Sequence, residues 1–405
     1  MRITDSLTKE VVSLEISSLK KRFEDLFGSL KSTNLVVTPA SLVLLGDHTH
    51  YNDGQLLSVA LNKYSGVLLR KRKDKKIIIA DSISDEILEF NLGDKPLPPN
   101  VNYKYIIGLL YAISELSRIN FGFECVISNP IPDCIGLGKV ASIQVSFAFA
   151  IKKTFGINLN MNEILSIIRN NELQILGKIA NYAQIYTAKI QKENKLFFID
   201  LRTFVYKSVP IKKDEFDLVI FNTGEKVIEP TKICNERIEE CEVGVKGLRL
   251  YIWGIKNLRD VELDFLLKHV HMLPKRIFNR ILFNVNERIR VEKAINAIKK
   301  HSYMEFGKYI TDSHWNMSSE YELSCEKCDF LVTAASKTDC SLGSKMISCS
   351  SYRSTFNIVK KGCSQNFIKT ISGEYYKKYG EELISYTFHL SEKVIKKNFN
   401  TLSEQ

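Results

Sequence analysis

The stretch that decides this chain is PASLVLLGDHTHYNDG, Pro39 to Gly54. Leu42 to Leu45 are four apolar residues in a row, which predicts a buried strand, and Gly46 predicts the turn that ends it. A dense polar fan follows: Asp47, His48, Thr49, His50, Tyr51, Asn52 and Asp53. Carboxylate, imidazole and amide groups projected from one turn suit a polyhydroxylated ligand. Asp47, His48, His50 and Asn52 are therefore the candidate ligand-binding side chains. His48 has a second reading, as a cap on the adjacent turn.

Periodic patterns surround this stretch. Residues Leu14 to Phe27 have helical spacing, with Leu19, Phe23, Leu26 and Phe27 on one face. Strands and turns are predicted to about Asn91, including a hairpin with Gly66–Leu69 and Ile77–Ala80 as its arms and the basic run Arg70–Lys76 as its tip. A helix is expected over Tyr105–Ile119 and a strand over Phe123–Ser128. Next comes Pro132-Asp-Cys-Ile-Gly136-Leu-Gly138-Lys-Val-Ala-Ser142, leading into a long apolar helix. A glycine-containing loop between strand and helix can aim backbone N–H groups at an anion. Gly136, Leu137, Gly138 and Lys139 are the candidate phosphate-loop residues.

These segments resemble the galactokinase branch of the GHMP kinases. Pro39–Gly54 is similar to that family's strand leading into Gly-Glu-His-Thr-Asp-Tyr-Asn, and Phe23 and Phe27-Gly28 match its opening Phe-x-x-x-Phe-Gly. Pro132, Gly136, Leu137 and Ala141 match Pro-x-x-x-Gly-Leu-Ser-Ser-Ser-Ala. Arg280, Val285, Glu287, Arg290 and Val291, then Ser313-His314 and Tyr321 to Asp329, follow two further family patterns in order. The resemblance implies an α+β, two-domain GHMP-kinase-like fold with the ligand site in the interdomain cleft. It places an N-terminal-like domain at 1–210, carrying the signature, and a C-terminal-like domain at 211–405.

The departures fall on the family's chemistry. Ser41 stands where the family has its active-site arginine, and His50 where it has an aspartate. Gly138, Lys139 and Val140 replace three serines that help hold phosphate and magnesium. Glu172 matches the family's magnesium glutamate, but Asn181 takes the place of the aspartate that faces the sugar hydroxyl. An amide has no titrating carboxylate to accept that proton. Removing a fixed charge from a phosphoryl-transfer centre typically costs about 3–4 kcal/mol of transition-state stabilisation. The family's glycine-rich third turn reads Gly343-Ser-Lys-Met-Ile-Ser-Cys-Ser-Ser-Tyr-Arg353 here. Side chains at Cys349, Ser350 and Tyr352 would obstruct close backbone approach. Cys234 stands near the position of a sugar-contacting tyrosine.

Composition bounds the remaining readings. The 405 residues are 44% hydrophobic and 25% charged, as in folded soluble chains. No apolar run approaches the roughly 18–20 residues that span a bilayer, and the polar N-terminus has no secretory h-region. A cytoplasmic location is expected. Nine scattered cysteines indicate reduced thiols. Cys325 and Cys328 form a CxxC with no second pair at zinc-finger spacing. The net charge of +11 allows contact with phosphates, most plainly at Arg70–Lys76.

The leading expectation is a galactokinase-like pseudokinase with a ligand- or partner-binding role and no cofactor. A divergent active galactokinase is the alternative, using ATP and magnesium (through Glu172) to phosphorylate galactose or a related sugar. A basic scaffold for RNA or an acidic partner is the third.

Overall fold

The computed structural model describes residues 16–84, 86–117, 119–177, 182–190, 195–212, 215–348 and 350–391. Asn181 and Cys349, singled out above, lie outside the described residues.

The strands in chain order are β1 (Asn34–Leu45), β2 (Gln55–Lys71), β3 (Lys76–Asp81), β4 (Ile87–Asn91), β5 (Phe123–Ser128), β6 (Lys195–Asp200), β7 (Val205–Pro210), β8 (Phe216–Lys226), β9 (Ser341–Met346), β10 (Tyr352–Lys360) and β11 (Ile384–Phe388). The helices are α1 (16–27), α2 (Val101–Ser117), α3 (Lys139–Phe155), α4 (Met161–Leu176), α5 (Tyr182–Ile190), α6 (Pro230–Arg249), α7 (Leu263–Lys268), α8 (Lys275–Lys299), α9 (Tyr303–Ser319), α10 (Glu326–Ser336) and α11 (Ser364–Tyr379). A seven-stranded sheet has the order β4-β3-β5-β2-β6-β7, with β1 paired to β2. A four-stranded sheet has the order β11-β8-β10-β9.

The apolar run at Leu42–Leu45 exists because β1 is buried on both faces. Val43 joins the core formed with α2, α3, α4 and α5. Leu42 and Leu44 point the other way, into a core shared with β8, β10, α8 and α9. β2 divides in the same manner, with Leu56 and Ala60 on one side and Leu57 and Val59 on the other. The first sheet is thus packed between its own helices and the second half of the chain. The Gly46–Gly54 loop emerges at the junction.

The expected hairpin around Arg70–Lys76 is corrected. β5 inserts between β2 and β3, antiparallel to one and parallel to the other. Two adjacent apolar runs with a charged link look alike in sequence whether they pair directly or flank a third strand. The basic link is also partly neutralised: Arg70 and Arg72 both bind Glu124, and Arg72 binds Asp74.

The second half of the chain is rich in helix. α6, α8, α9 and α11 all exceed four turns. α8 was hard to read because it buries polar side chains as well as apolar ones, among them Arg280, Asn284, Glu287 and Arg290.

Candidate functional site

The signature loop is held by buried charge. Asp47 lies just beyond the end of β1, and its carboxylate is taken on both oxygens. Lys345 Nζ of β9 lies 2.5 Å from Oδ2, and Ser348 Oγ donates to Oδ1 at 2.8 Å. Lys345 is fully buried, and its ammonium also lies 3.5 Å from Glu287 Oε1 of α8. Glu287 is itself fully enclosed. It accepts from the Gly46 N–H at 2.9 Å, from Ser313 Oγ at 2.8 Å and from Arg290 Nε at 2.8 Å. Burial alone would raise its carboxyl pKa, yet Arg290, Lys345 and the Gly46 amide hold it down to about 2.

The histidines and Asn52 point in different directions. His48 adopts a positive φ of 59°, places Nδ1 3.1 Å from the Tyr51 hydroxyl and lines an open-mouthed cleft. The cleft wall also includes Cys234, Leu323, Met346, Ile347, Ser348, Ser350 and Arg353. His50 is buried against the Tyr51 ring, with centroids 4.8 Å apart. Asn52 turns toward α8 and donates to Asn284 Oδ1 at 3.2 Å. Tyr51 completes the arrangement through Tyr321, hydroxyl to hydroxyl at 2.8 Å. Burial pushes both phenols well above their ordinary value.

The loop between β5 and α3 is tied down by its neighbours. A bulge in β1 between Pro39 and Ser41 frees the Ser41 N–H, which donates to Leu137 O at 3.0 Å. Gln184 Nε2 donates to Gly136 O at 2.7 Å. The Ser351 and Tyr352 N–H groups both donate to Cys134 O at 3.0 Å. Gly136 has φ +78°, and a Cβ there would run into Ile347 and approach Ser350 Cβ to 3.6 Å. Gly138, with φ +66°, is the residue preceding α3. A Cβ at that position would collide with Ser41 Oγ. Positions 41 and 138 are therefore sterically coupled.

Lys139 pairs across the loop with Asp133 at 2.8 Å. Ser350 Oγ bonds Tyr352 O at 2.7 Å, folding the third turn on itself. Glu172 is buried behind α3, where Gln144 Nε2 donates to its Oε1 at 2.8 Å. Gln144 in turn accepts from Asn171.

Val140 offers no oxygen, Glu172 has one oxygen engaged by an amide, and among the described residues no three acidic, histidine or cysteine groups cluster as a metal site.

Lys345, Ser348, Gln144, Gln184 and Arg353 were missed in sequence. A lysine or serine in a mixed polar stretch carries no periodic signal. Only the flanking Gly343 and Met346, within a family-like turn, hinted at that segment.

Comparison with known proteins agrees with the geometry. A family model described as the galactokinase galactose-binding signature matches residues 21–71. A model of the GHMP kinase N-terminal domain matches residues 104–188. The galactokinase of Clostridium beijerinckii is 28% identical over 383 residues, covering 93% of this chain and 98% of that protein. These matches support the galactokinase branch of the GHMP kinases. Among solved structures, Lactococcus lactis galactokinase complexed with galactose matches this galactokinase-like chain at TM-score 0.84 and 22% identity, covering 93% of this chain and 98% of that one. Methanococcus jannaschii mevalonate kinase matches at TM-score 0.62 and 17% identity, with 89% and 99% covered. Both likenesses bear on the fold, which is the GHMP-kinase fold expected from the sequence.

Proposed function

We propose that this galactokinase-like protein has lost ATP-dependent sugar 1-phosphorylation and acts by binding a ligand or a protein partner. The observation that carries the reading is the packing of Ser41 against Gly138. A small neutral hydroxyl occupies the ground between β1 and the start of α3, where the family's chemistry calls for a fixed positive charge. Phosphoryl transfer depends on positioning and charge neutralisation, so this centre lacks a principal means of stabilising the transition state. Asn181, in place of a carboxylate, supports the same conclusion from sequence.

The ligand class in this reading is galactose or a related sugar, taken in the cleft that His48 and Ser348 line, with Asp47, His50 and Asn52 shaping the loop behind it. No cofactor is used. Residues 1–210 and 211–405 are the two domains, and the change of sheet between Pro210 and Phe216 supports that division. Free thiols at every described cysteine support a reducing, cytoplasmic setting. No described helix is long and apolar enough to cross a membrane.

The second reading is a divergent active galactokinase using ATP and magnesium. The retained burial of Glu172 beside α3 favours it.

The test is direct. Purified protein is incubated with ATP, magnesium and a panel of hexoses that includes galactose, and sugar 1-phosphate is measured. Turnover below about 0.1 per second, against roughly 1–1000 for ordinary enzymes, is expected. Faster turnover overturns the proposal and establishes the second reading. Thermal shifts with each sugar, with and without His48→Ala, then report binding separately from chemistry.

A further inference from the structure

We propose that Cys325 and Cys328 form a redox-active dithiol that exchanges with low-molecular-weight disulfides. Cys325 is the N-cap residue of α10, with extended backbone (φ −143°, ψ 165°) and no side-chain cap hydrogen bond. Cys328 lies three residues on, in the helix's first turn. Side chains at i and i+3 on a helical turn have Cβ atoms about 5–6 Å apart, close to the roughly 3.5–4.5 Å of a disulfide. Cys325 contributes no N–H to the helical ladder, so its side chain can close the remaining gap without breaking the helix.

The two thiols differ in the way such a couple requires. Cys325 is partly exposed and Cys328 is buried. The first is the accessible attacking group, and the second is the resolving group behind it. A helix N-terminus stabilises a thiolate. Arg353 adds positive charge nearby while donating to Leu323 O at 2.8 Å. The Cys325 thiol is drawn down to about 7 by its hydrogen bond with Cys328, against the opposing effect of burial, and the Cys328 amide and Arg353 assist. A zinc role is not supported, because no third metal-binding side chain joins the pair among the described residues.

The exchange balances as follows. The Cys325 thiolate attacks one sulfur of an external disulfide, whose S–S bond breaks to release one thiolate and leave a mixed disulfide on Cys325. Cys328 then loses its proton to solvent and attacks the Cys325 sulfur. The mixed disulfide breaks, and the second external thiolate leaves. Two protein thiols are oxidised, and one external disulfide becomes two thiols. The couple is flanked by Leu323 and Arg353, which also line the His48 cleft. Its existence does not depend on what the cleft binds.

The test uses the full chain equilibrated in glutathione buffers of graded ratio, followed by acid quench, alkylation, tryptic digestion and mass spectrometry. Lys327 lies between the two cysteines, so their tryptic peptides remain joined only when bridged. The expected result is a linked Cys325–Cys328 peptide that appears and disappears reversibly with the glutathione ratio. In Cys328→Ser, Cys325 accumulates as the glutathione mixed disulfide. In Cys325→Ser, Cys328 stays reduced. Exposed Cys134 is the internal control. Glutathione on Cys134 with neither bridge nor adduct at Cys325 overturns the proposal, as does stoichiometric zinc bound through the pair.

Discussion

Lys345 Nζ lies 2.5 Å from Asp47 Oδ2, with the lysine side chain 0% and the aspartate side chain 7% exposed. The ammonium of β9 thus spans from the second sheet to the signature loop of the first, with Glu287 at 3.5 Å on its other side. A carboxylate that reads in sequence as a sugar ligand is here also a structural anchor. Breaking a buried pair leaves an uncompensated charge and costs about 3–5 kcal/mol. Lys345→Met should lower the unfolding free energy by about that amount in urea titration. A loss under about 1 kcal/mol would show that the pair is not a structural tie.

Acid should destabilise the protein in two stages. His314 is buried, and burial pushes its pKa below the ordinary 6.5. Its Nδ1 accepts from Met346 N at 3.2 Å, and Nε2 faces Asp329 at 3.1 Å. The unfolded chain therefore binds that proton first, and stability falls as pH drops below 6.5. Glu287 has its pKa lowered from 4.5 to about 2. Its contribution is complete above 4.5 and is lost as pH falls through 2, on the order of 3 kcal/mol in all. Urea unfolding across pH should show both declines. His314→Gln should remove the upper one, and the gap between wild type and Glu287→Gln should narrow at about pH 3. Stability that stays level down to that pH contradicts both assignments.

The contact between Ser41 and Gly138 predicts coupled mutations. Gly138→Ser forces a side chain into a left-handed residue at φ +66° and onto Ser41 Oγ, which should cost about 1–3 kcal/mol. In a Ser41→Gly background the strain term remains but the collision disappears. A double-mutant cycle should give a favourable coupling of at least about 0.5 kcal/mol. Additive effects would show that the two positions do not interact.

The basic run at Arg70–Lys76 should bind nucleic acid only weakly. Arg70 and Arg72 are already paired with Glu124 and Asp74, so few counterions remain to be released. Titration with single-stranded RNA near physiological salt should give no affinity tighter than the nonspecific range of about 10⁻⁴–10⁻⁶ M. Tight, steeply salt-dependent binding that Arg72→Ala abolishes would instead favour the scaffold role.

Much of the fold was legible because it rests on local pattern. Phe123–Ser128 was predicted as a strand with the observed bounds, since it is a short, bounded run rich in apolar residues. The helical segment following Gly138 was legible for a similar reason. Which strands pair was not legible, because β5 reaches its place between β2 and β3 through a long crossover. The site divides along the same line. His48 was readable as a cleft residue from its place in a dense polar turn. Its neighbours Ser348, Ser350 and Arg353 come from 300 or more positions further on, in a stretch without periodicity.

The sequence by itself determined the family resemblance, the strand ending at Leu45, the loop before α3 and the presence of a hydroxyl at Ser41 and an amide at Asn181. These follow from residue type and short-range spacing. Only the tertiary structure decided that Asp47 is bound by Lys345 and Ser348 and that Ser41 packs against Gly138. The physical reason is that a buried charge must find its partner across the fold, and no local pattern in a chain records which distant residue that partner is.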